Sequence, residues 1–289
     1  RPAWKEPAWE VQRIAFDYAY AVSAGDDKVF YASSSDHALH ALDLESGRTV
    51  WRQFTEGPVR LSPEVRGDRV FVASDDGTVA CLQAGSGAVV WRYRPDIPRE
   101  RLVGNEQIVS RWPARSGVLV DGSRAYTTFG MWSPEGIVVA CLDARTGEEI
   151  WTNDSSGTYY MTQPHYEAMG GVSPQGYLTL DGDILIVPCG RAAPAFFDAR
   201  TGEFLYHESQ GLFPGGAWTM THAGLTFVAC EYLKKPNPVL PAGPEADISN
   251  EASLFAFRTD TREEVFHLNG ALRGVSTDDG ILTLIGPGN

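Results

Sequence analysis

Residues 158–171, TYYMTQPHYEAMGG, gather Tyr159, Tyr160, His165, Tyr166 and Glu167 in one short stretch. A phenol and an imidazole held within hydrogen-bond reach form a general acid–base pair. Joined by His207 or His222, and by an arginine such as Arg111, Arg115 or Arg191 to neutralise a carboxylate, they would suit lyase chemistry on a uronate polymer. A tyrosine-rich loop packed on apolar surface, with its histidines bonded to backbone, accounts for the same residues. A second stretch, 92–117, is locally basic, with Arg92, Arg94, Arg99, Arg101, Arg111 and Arg115. Guanidinium groups at that density could hold a carboxylate, sulfate or phosphate, or could pair with nearby Asp96, Glu100 and Glu106. Arg111 and Arg115 flank Trp112, and Trp112, Trp132 and Trp218 could each stack on a flat ring or cap a core.

Metal and thiol chemistry have little to work with. No His/Glu pair sits at ligand spacing within one rigid element. The four cysteines, Cys81, Cys141, Cys189 and Cys230, form no C-x-x-C, C-x-x-C-H or adjacent pair, which disfavours a zinc ribbon and covalent haem. Cys81 and Cys141 occupy the same place in successive repeats, too far apart to bridge, so all four read as small buried thiols.

The elements that must position these residues are written in a repeat. HALHALDLESGRTVW ends at Trp51, GTVACLQAGSGAVVW at Trp91, IVVACLDARTGEEIW at Trp151, APAFFDARTGEFLY at Tyr206 and SLFAFRTDTREEVF at Phe266. Ten residues before each aromatic anchor stand Ala41, Cys81, Cys141, Phe196 and Ala256; four before stand Gly47, Gly87, Gly147 and Gly202, with Arg262 as the exception. Alternating apolar residues, a turn with a glycine able to take positive φ, and a return strand make one hairpin. Further strands lie upstream, for instance at 67–74, 122–129 and 182–189. With Trp9 counted as an isolated outer strand, the anchors recur at steps of 42, 40, 60, 55 and 60 residues. A basic period near 40 with insertions predicts an all-β fold, a β-propeller of four-stranded antiparallel blades.

About six blades fit the chain, five complete and one partial: 17–54, 57–94, 114–153, 172–208, 216–268, and two strands in 271–289. Trp9 is expected on the outer strand of the last blade, where it would close the ring and hide an edge. Repetition throughout argues for one domain over 1–289, and the strands missing from the last blade leave room for a longer polypeptide. The insertions, 93–113, 153–171, 207–217 and 231–251, follow fourth strands or, in the last case, a second strand. All four therefore emerge on one face, and loops on one side of a rigid scaffold are where binding sites concentrate. The Pro-rich part of the last insertion reads as an exposed excursion.

Composition narrows the partners. Twenty-four basic against 37 acidic residues give a net charge of −13, which repels nucleic acid and anionic lipid. No apolar run reaches the length of a membrane helix, and no signal-peptide core stands at the start.

The repeat A-x-L-D-x-x-T-G-x-x-x-W, matched by Ala140, Leu142, Asp143, Thr146, Gly147 and Trp151, resembles the tryptophan-docking repeat of the quinoprotein (PQQ-repeat) β-propeller superfamily. SRWPARSGVLVDG and SPQGYLTLDGDILIVPCGRAAPAFFDARTGEF further resemble PQQ-like repeat proteins of environmental bacteria. The resemblance implies that Trp51, Trp91, Trp151, Tyr206 and Phe266 dock between blades, and that the protein is periplasmic or secreted. Quinoprotein dehydrogenases of the superfamily hold PQQ between a vicinal disulfide and a tryptophan floor, with Ca²⁺ on Glu, Asn and Asp. The vicinal cysteines are missing here. The expectation is a binding or assembly module without bound cofactor, engaging a protein or a glycan through Arg111, Trp112, Arg115, Trp132, Tyr159, Tyr160, His165, Tyr166, Arg191 and Trp218. The alternative is an enzyme, either a PQQ- and Ca²⁺-dependent dehydrogenase or a polysaccharide lyase.

Overall fold

The repeated turn explains the architecture from the bottom. In the third copy Asp143 Oδ1 accepts hydrogen bonds from the backbone N–H groups of Arg145 (2.9 Å) and Thr146 (2.8 Å), and the Gly147 N–H reaches the Asp143 carbonyl at 2.8 Å. These donations, that of the Thr146 N–H foremost, hold the Asp143 carboxyl below the usual carboxylate range. Gly147 sits at φ +76°, where a Cβ would be strained. Asp198 and Gly202 repeat the arrangement, and Asp43 with Ser46 makes a close variant. Each turn returns the chain in register, so the residue ten before the anchor is its cross-strand partner. Ala41 faces Trp51, Cys81 faces Trp91, Cys141 faces Trp151, Phe196 faces Tyr206 and Ala256 faces Phe266. A bulge follows at each of these five positions, an extra residue that increases local twist.

The structure, a computed structural model, describes residues 22–104, 107–162, 167–190, 192–207, 218–230, 253–269, 273–276 and 282–285. They form five four-stranded antiparallel sheets with strands in sequence order. Blade 1 is Val22–Gly25, Lys28–Ser33, Ala38–Asp43 and Thr49–Phe54; blade 2 is Glu64–Arg66, Arg69–Ser74, Thr78–Gln83 and Val89–Tyr93. Blade 3 is Val118–Asp121, Arg124–Phe129, Val138–Asp143 and Glu149–Asn153; blade 4 is Thr179–Asp181, Ile184–Cys189, Ala192–Asp198 and Phe204–Tyr206. Blade 5 is Trp218–His222, Leu225–Cys230, Ser253–Arg258 and Glu264–Asn269, and Arg273–Ser276 pairs with Leu282–Ile285 as a two-stranded sheet. First strands touch between blades 1 and 2, 2 and 3, and 4 and 5, and the first strand of blade 5 touches Arg273–Ser276, which sets them around the axis. Two further hairpins, Arg101–Gly104 with Gln107–Ser110 and Tyr159–Thr162 with Glu167–Gly170, occupy the insertions after blades 2 and 3.

The core lies between blades. Phe71, Cys81 and Trp91 of blade 2 pack on Ala125, Ala140 and Leu142 of blade 3; Tyr126, Cys141 and Trp151 of blade 3 pack on Leu185, Val187 and Phe197 of blade 4. Cys81, Cys141 and Cys189 are buried free thiols, as the sequence suggested. The side chain of Cys230, and Trp9, lie outside the described residues.

Each docking tryptophan is held twice over. The indole Nε1 of Trp51, Trp91 and Trp151 donates to the backbone carbonyl of Ala84, Ala144 and Ala199 in the next blade at 2.8, 3.1 and 3.1 Å. The ring lies against the turn glycine of that blade: a Cβ on Gly87, Gly147 or Gly202 would stand 2.7, 2.6 or 2.4 Å from it. Blade 5 has Arg262 at the glycine position, at φ +64°, and its guanidinium stacks on Tyr206 at 4.4 Å. Trp151→Ala is therefore expected to cost about 3–5 kcal/mol of unfolding free energy, and Trp151→Phe about 1–2 kcal/mol, because the latter keeps an aromatic ring and loses the Ala199 bond. Denaturant unfolding followed by far-ultraviolet circular dichroism measures both.

Candidate functional site

Connections after second strands and after fourth strands meet on one face and are hydrogen-bonded together. Asp75 N–H reaches Pro58 O at 2.8 Å, Ser110 N–H reaches Asp75 O at 2.7 Å, Gly130 N–H reaches Pro113 O at 3.0 Å, and Gly176 N–H reaches Arg115 O at 3.1 Å. Both insertion hairpins stand on this face.

On this face lies a buried charge cluster. Asp75, 1% exposed, receives Arg60 Nε on Oδ2 at 2.6 Å, Arg115 Nε on Oδ1 at 2.7 Å and Arg115 Nη2 on Oδ2 at 2.9 Å. Arg60 and Arg115 occupy the same place in successive blades, five residues before Val65 and Val120, which pair in register with Val70 and Ala125. Neither Arg60 nor Asp75 stood out in the sequence. The signal was the common spacing of the two arginines before the first strand, visible only once the blades are aligned on that strand.

Trp112 is 8% exposed, and its indole donates to Glu135 O at 3.0 Å, so it caps the interface of blades 2 and 3. Arg111 lies over its ring at 5.3 Å and pairs with Glu100 at 2.6 Å and with Glu135. Trp132, at the start of the 3₁₀ turn Ser133–Glu135, is 39% exposed, and Tyr160 is 71% exposed. Trp218 is partly buried in the first strand of blade 5. His165, Tyr166 and Arg191 lie outside the described residues.

Tyr159 and His207 do come together, with Oη and Nδ1 2.8 Å apart. His207 is 8% exposed and packs edge-on to Tyr159; burial pulls its pKa down to about 4, and the Ala193 backbone opposes this only in part. Burial pushes the Tyr159 phenol up to about 12. Both groups are neutral near pH 7, a tautomer-dependent hydrogen bond in a mostly dry setting. His222 lies in the first strand of blade 5.

The first insertion hairpin divides its residues by alternation. Leu102 and Val109 face each other on one side, with Val109 2% exposed, whereas Val103 and Ile108 pair on the other side at 78% and 57% exposed. The hairpin is fastened to blade 1 through His37 Nε2 and Gln107 Oε1 at 2.8 Å and through an Arg101–Glu56 ion pair. Among the described residues no three His, Cys, Asp or Glu side chains converge as a metal site. Among the described residues no helix is long and apolar enough to cross a membrane.

Comparison with known proteins fits this geometry. A family model described as outer membrane protein assembly factor BamB matches residues 3–109. The quinoprotein ethanol dehydrogenase of Pseudomonas aeruginosa is 29% identical over 164 residues, 52% of this chain and 25% of that protein. The BamB of Shewanella oneidensis is 29% identical over 86 residues, 30% of this chain and 22% of that protein. The crystal structure of BamB from Moraxella catarrhalis superposes with a TM-score of 0.57 at 18% identity, covering 92% of this chain and 72% of that one. In repeat and in fold the chain is similar to the PQQ-repeat β-propellers. It spans a quarter or less of the length of the two curated relatives, so the likeness carries the repeat and the fold rather than an activity.

Two outcomes follow from the buried groups. Asp75→Ala leaves two guanidinium groups facing each other in a dry site and should cost about 3–5 kcal/mol. His207 binds a proton more readily unfolded (6.5) than folded (about 4), so the stability it contributes is full above pH 6.5 and is lost as pH falls toward 4. Over that window it amounts to about 3 kcal/mol. His207→Phe should flatten this component of the unfolding midpoint measured between about pH 7.5 and 4.5, although carboxylates still titrate in both proteins.

Proposed function

We propose that this propeller is a binding module that docks a protein partner on its loop-rich face and turns over no substrate. One observation carries the reading: the Arg101–Gly104/Gln107–Ser110 hairpin holds an aliphatic cross-strand pair, Val103 and Ile108, out in solvent at 78% and 57% exposure. Solvent-facing strand positions are ordinarily polar, and an apolar pair on an ordered hairpin suits a small protein–protein contact. Charged groups on this face are spent on the fold: Asp75 is saturated by guanidiniums, and Arg111 is shared between two glutamates. The resemblance to an outer membrane protein assembly factor supports a scaffolding role and a periplasmic setting.

The enzyme reading draws on the quinoprotein ethanol dehydrogenase relative and on the Tyr159–His207 contact. Against a PQQ site, the four cysteines include no adjacent pair, and the buried carboxylate at Asp75 has both oxygens occupied. Against a lyase, the imidazole is 8% exposed and its neighbourhood opposes protonation.

Native mass spectrometry of the protein purified from its own source should show a second polypeptide bound. A Val103→Asp/Ile108→Asp variant should lose that polypeptide, with affinity down at least ~30-fold and stability changed by less than about 0.5 kcal/mol. A bare wild-type chain overturns the proposal; added mass matching a quinone and Ca²⁺ supports the oxidoreductase instead.

A further inference from the structure

Between blades 1 and 2, on the loop-bearing face, opens a cleft of about 610 Å³. One wall is apolar, made by Val72, Ala80 and Leu82 of blade 2, and at the mouth stands Phe54, 57% exposed. Arg92, Arg94 and Arg99 line the same space.

The charge arrangement in the cleft is lopsided. Two carboxylates, Glu56 and Asp76, also line it, but both are committed elsewhere. Asp76 Oδ1 accepts from the Thr78 N–H at 2.9 Å and hydroxyl at 2.6 Å, and Oδ2 accepts from the Glu56 N–H at 2.9 Å. Glu56 pairs with Arg101. Arg94 Nε is buried with no hydrogen-bond partner among the described residues. Burial, and after it the neighbouring Arg99 charge, lowers the pKa of Arg94, with Arg101 adding to this and Asp76 and Glu56 opposing it. A buried guanidinium N–H without an acceptor is costly, and an oxyanion at the partly exposed head of Arg94 would offset the positive charge that burial and Arg99 leave uncompensated.

We propose that this cleft binds a small organic monocarboxylate with an apolar body. The head would meet the Arg94 and Arg99 guanidiniums, and the body would cover the exposed ring of Phe54 beside the buried Val72–Ala80–Leu82 wall. Glu56 is neutralised by Arg101 and Asp76 is held by three hydrogen-bond donors, so the three arginines leave the cleft net positive, and one carboxylate head on an apolar body suits that charge beside an apolar wall. The volume is that of an ordinary small-molecule site, and a bare inorganic anion would leave the Phe54 ring, 57% exposed, wet.

The probe is 4-phenylbutyrate, titrated against the whole chain and followed by ligand-observed NMR. Binding is expected with a Kd of about 1 mM or tighter. Arg94→Gln should weaken it at least ~tenfold, as should Arg92→Gln/Arg99→Gln, which alters exposed side chains and keeps the test open if Arg94→Gln disturbs folding. The neutral isostere 4-phenylbutanol should fail to saturate by ~10 mM, and so should inorganic phosphate. Equal binding of the alcohol, equal binding of phosphate, no binding of the carboxylate, or indifference to both arginine variants would each overturn the proposal. The Val103→Asp/Ile108→Asp variant should bind 4-phenylbutyrate like wild type, so this result and the partner-docking result stand or fall separately.

Discussion

The contact between an indole on the outer strand of one blade and a glycine turn in the next is the constraint on which the ring depends. Trp51, Trp91 and Trp151 each need a carbonyl acceptor and a turn without a Cβ, and Ala84/Gly87, Ala144/Gly147 and Ala199/Gly202 supply both. The glycine is thus fixed for two reasons at once: its positive φ closes the hairpin, and its missing side chain admits the neighbour's ring. Such nearest-neighbour terms add along a repeat array, so spacing between blades is set locally and repeated. Blade 5 shows what the constraint tolerates. Tyr206 replaces the tryptophan and Arg262 the glycine, and a cation–π stack replaces the ring-on-turn contact. At the other end Gly47 keeps φ +66°, so its hairpin closes in the same way; Trp9, expected on the outer strand of the last blade, lies outside the described residues.

With blade spacing fixed, the loop face becomes rigid by a different means. Connectors after fourth strands donate to or accept from the turns after second strands, and Asp75 gathers Arg60 from its own blade and Arg115 from the next. A buried carboxylate between two guanidiniums gains little net stability over well-packed apolar residues, because desolvation offsets the attraction. Its effect is positional: it ties the entries of blades 2 and 3 to a single turn. The surroundings of Trp112 follow from that geometry, and the ring closes the interface of blades 2 and 3.

How much of this was legible in the sequence depends on range. The ten-residue spacing from Cys141 to Trp151 is a cross-strand pair, a local relation that hairpin geometry imposes, so blades and docking positions could be read directly. Tyr159 and His207 lie 48 residues apart yet were named together, because both belong to insertions that topology sends to one face. Arg115 and Asp75 were not connected: they are 40 residues apart, and nothing in the spacing of a charged residue says which blade supplies its counter-ion. The segment 93–113 was read as loop, although LVG and QIV carry a short alternation that puts Val109 inside and Ile108 outside. Four-residue strands give too few periods for that pattern to stand out from noise.

The hairpin at 101–110 links the two surfaces to which the chemistry points. Its outward side carries Val103 and Ile108, while its base carries Arg101, whose partner Glu56 lines the cleft beside Arg99 and Arg94. In a chain of net charge −13, this stretch is a local concentration of positive charge, which matters most over distances shorter than the ~8–10 Å screening length. An anion in the cleft would compete with Glu56 for guanidinium charge, and Arg101–Glu56 is one of two contacts that seat the hairpin on blade 1. The other, His37–Gln107, is uncharged in its partner and does not depend on the same balance. Cleft occupancy can therefore alter hairpin position only by the difference in free energy between the seated and unseated Arg101, and an exposed pair of this kind contributes about 0–1 kcal/mol. That bound makes the two surfaces neighbours with weak coupling, so the scaffold presents the aliphatic pair in nearly the same place whether or not the cleft is filled.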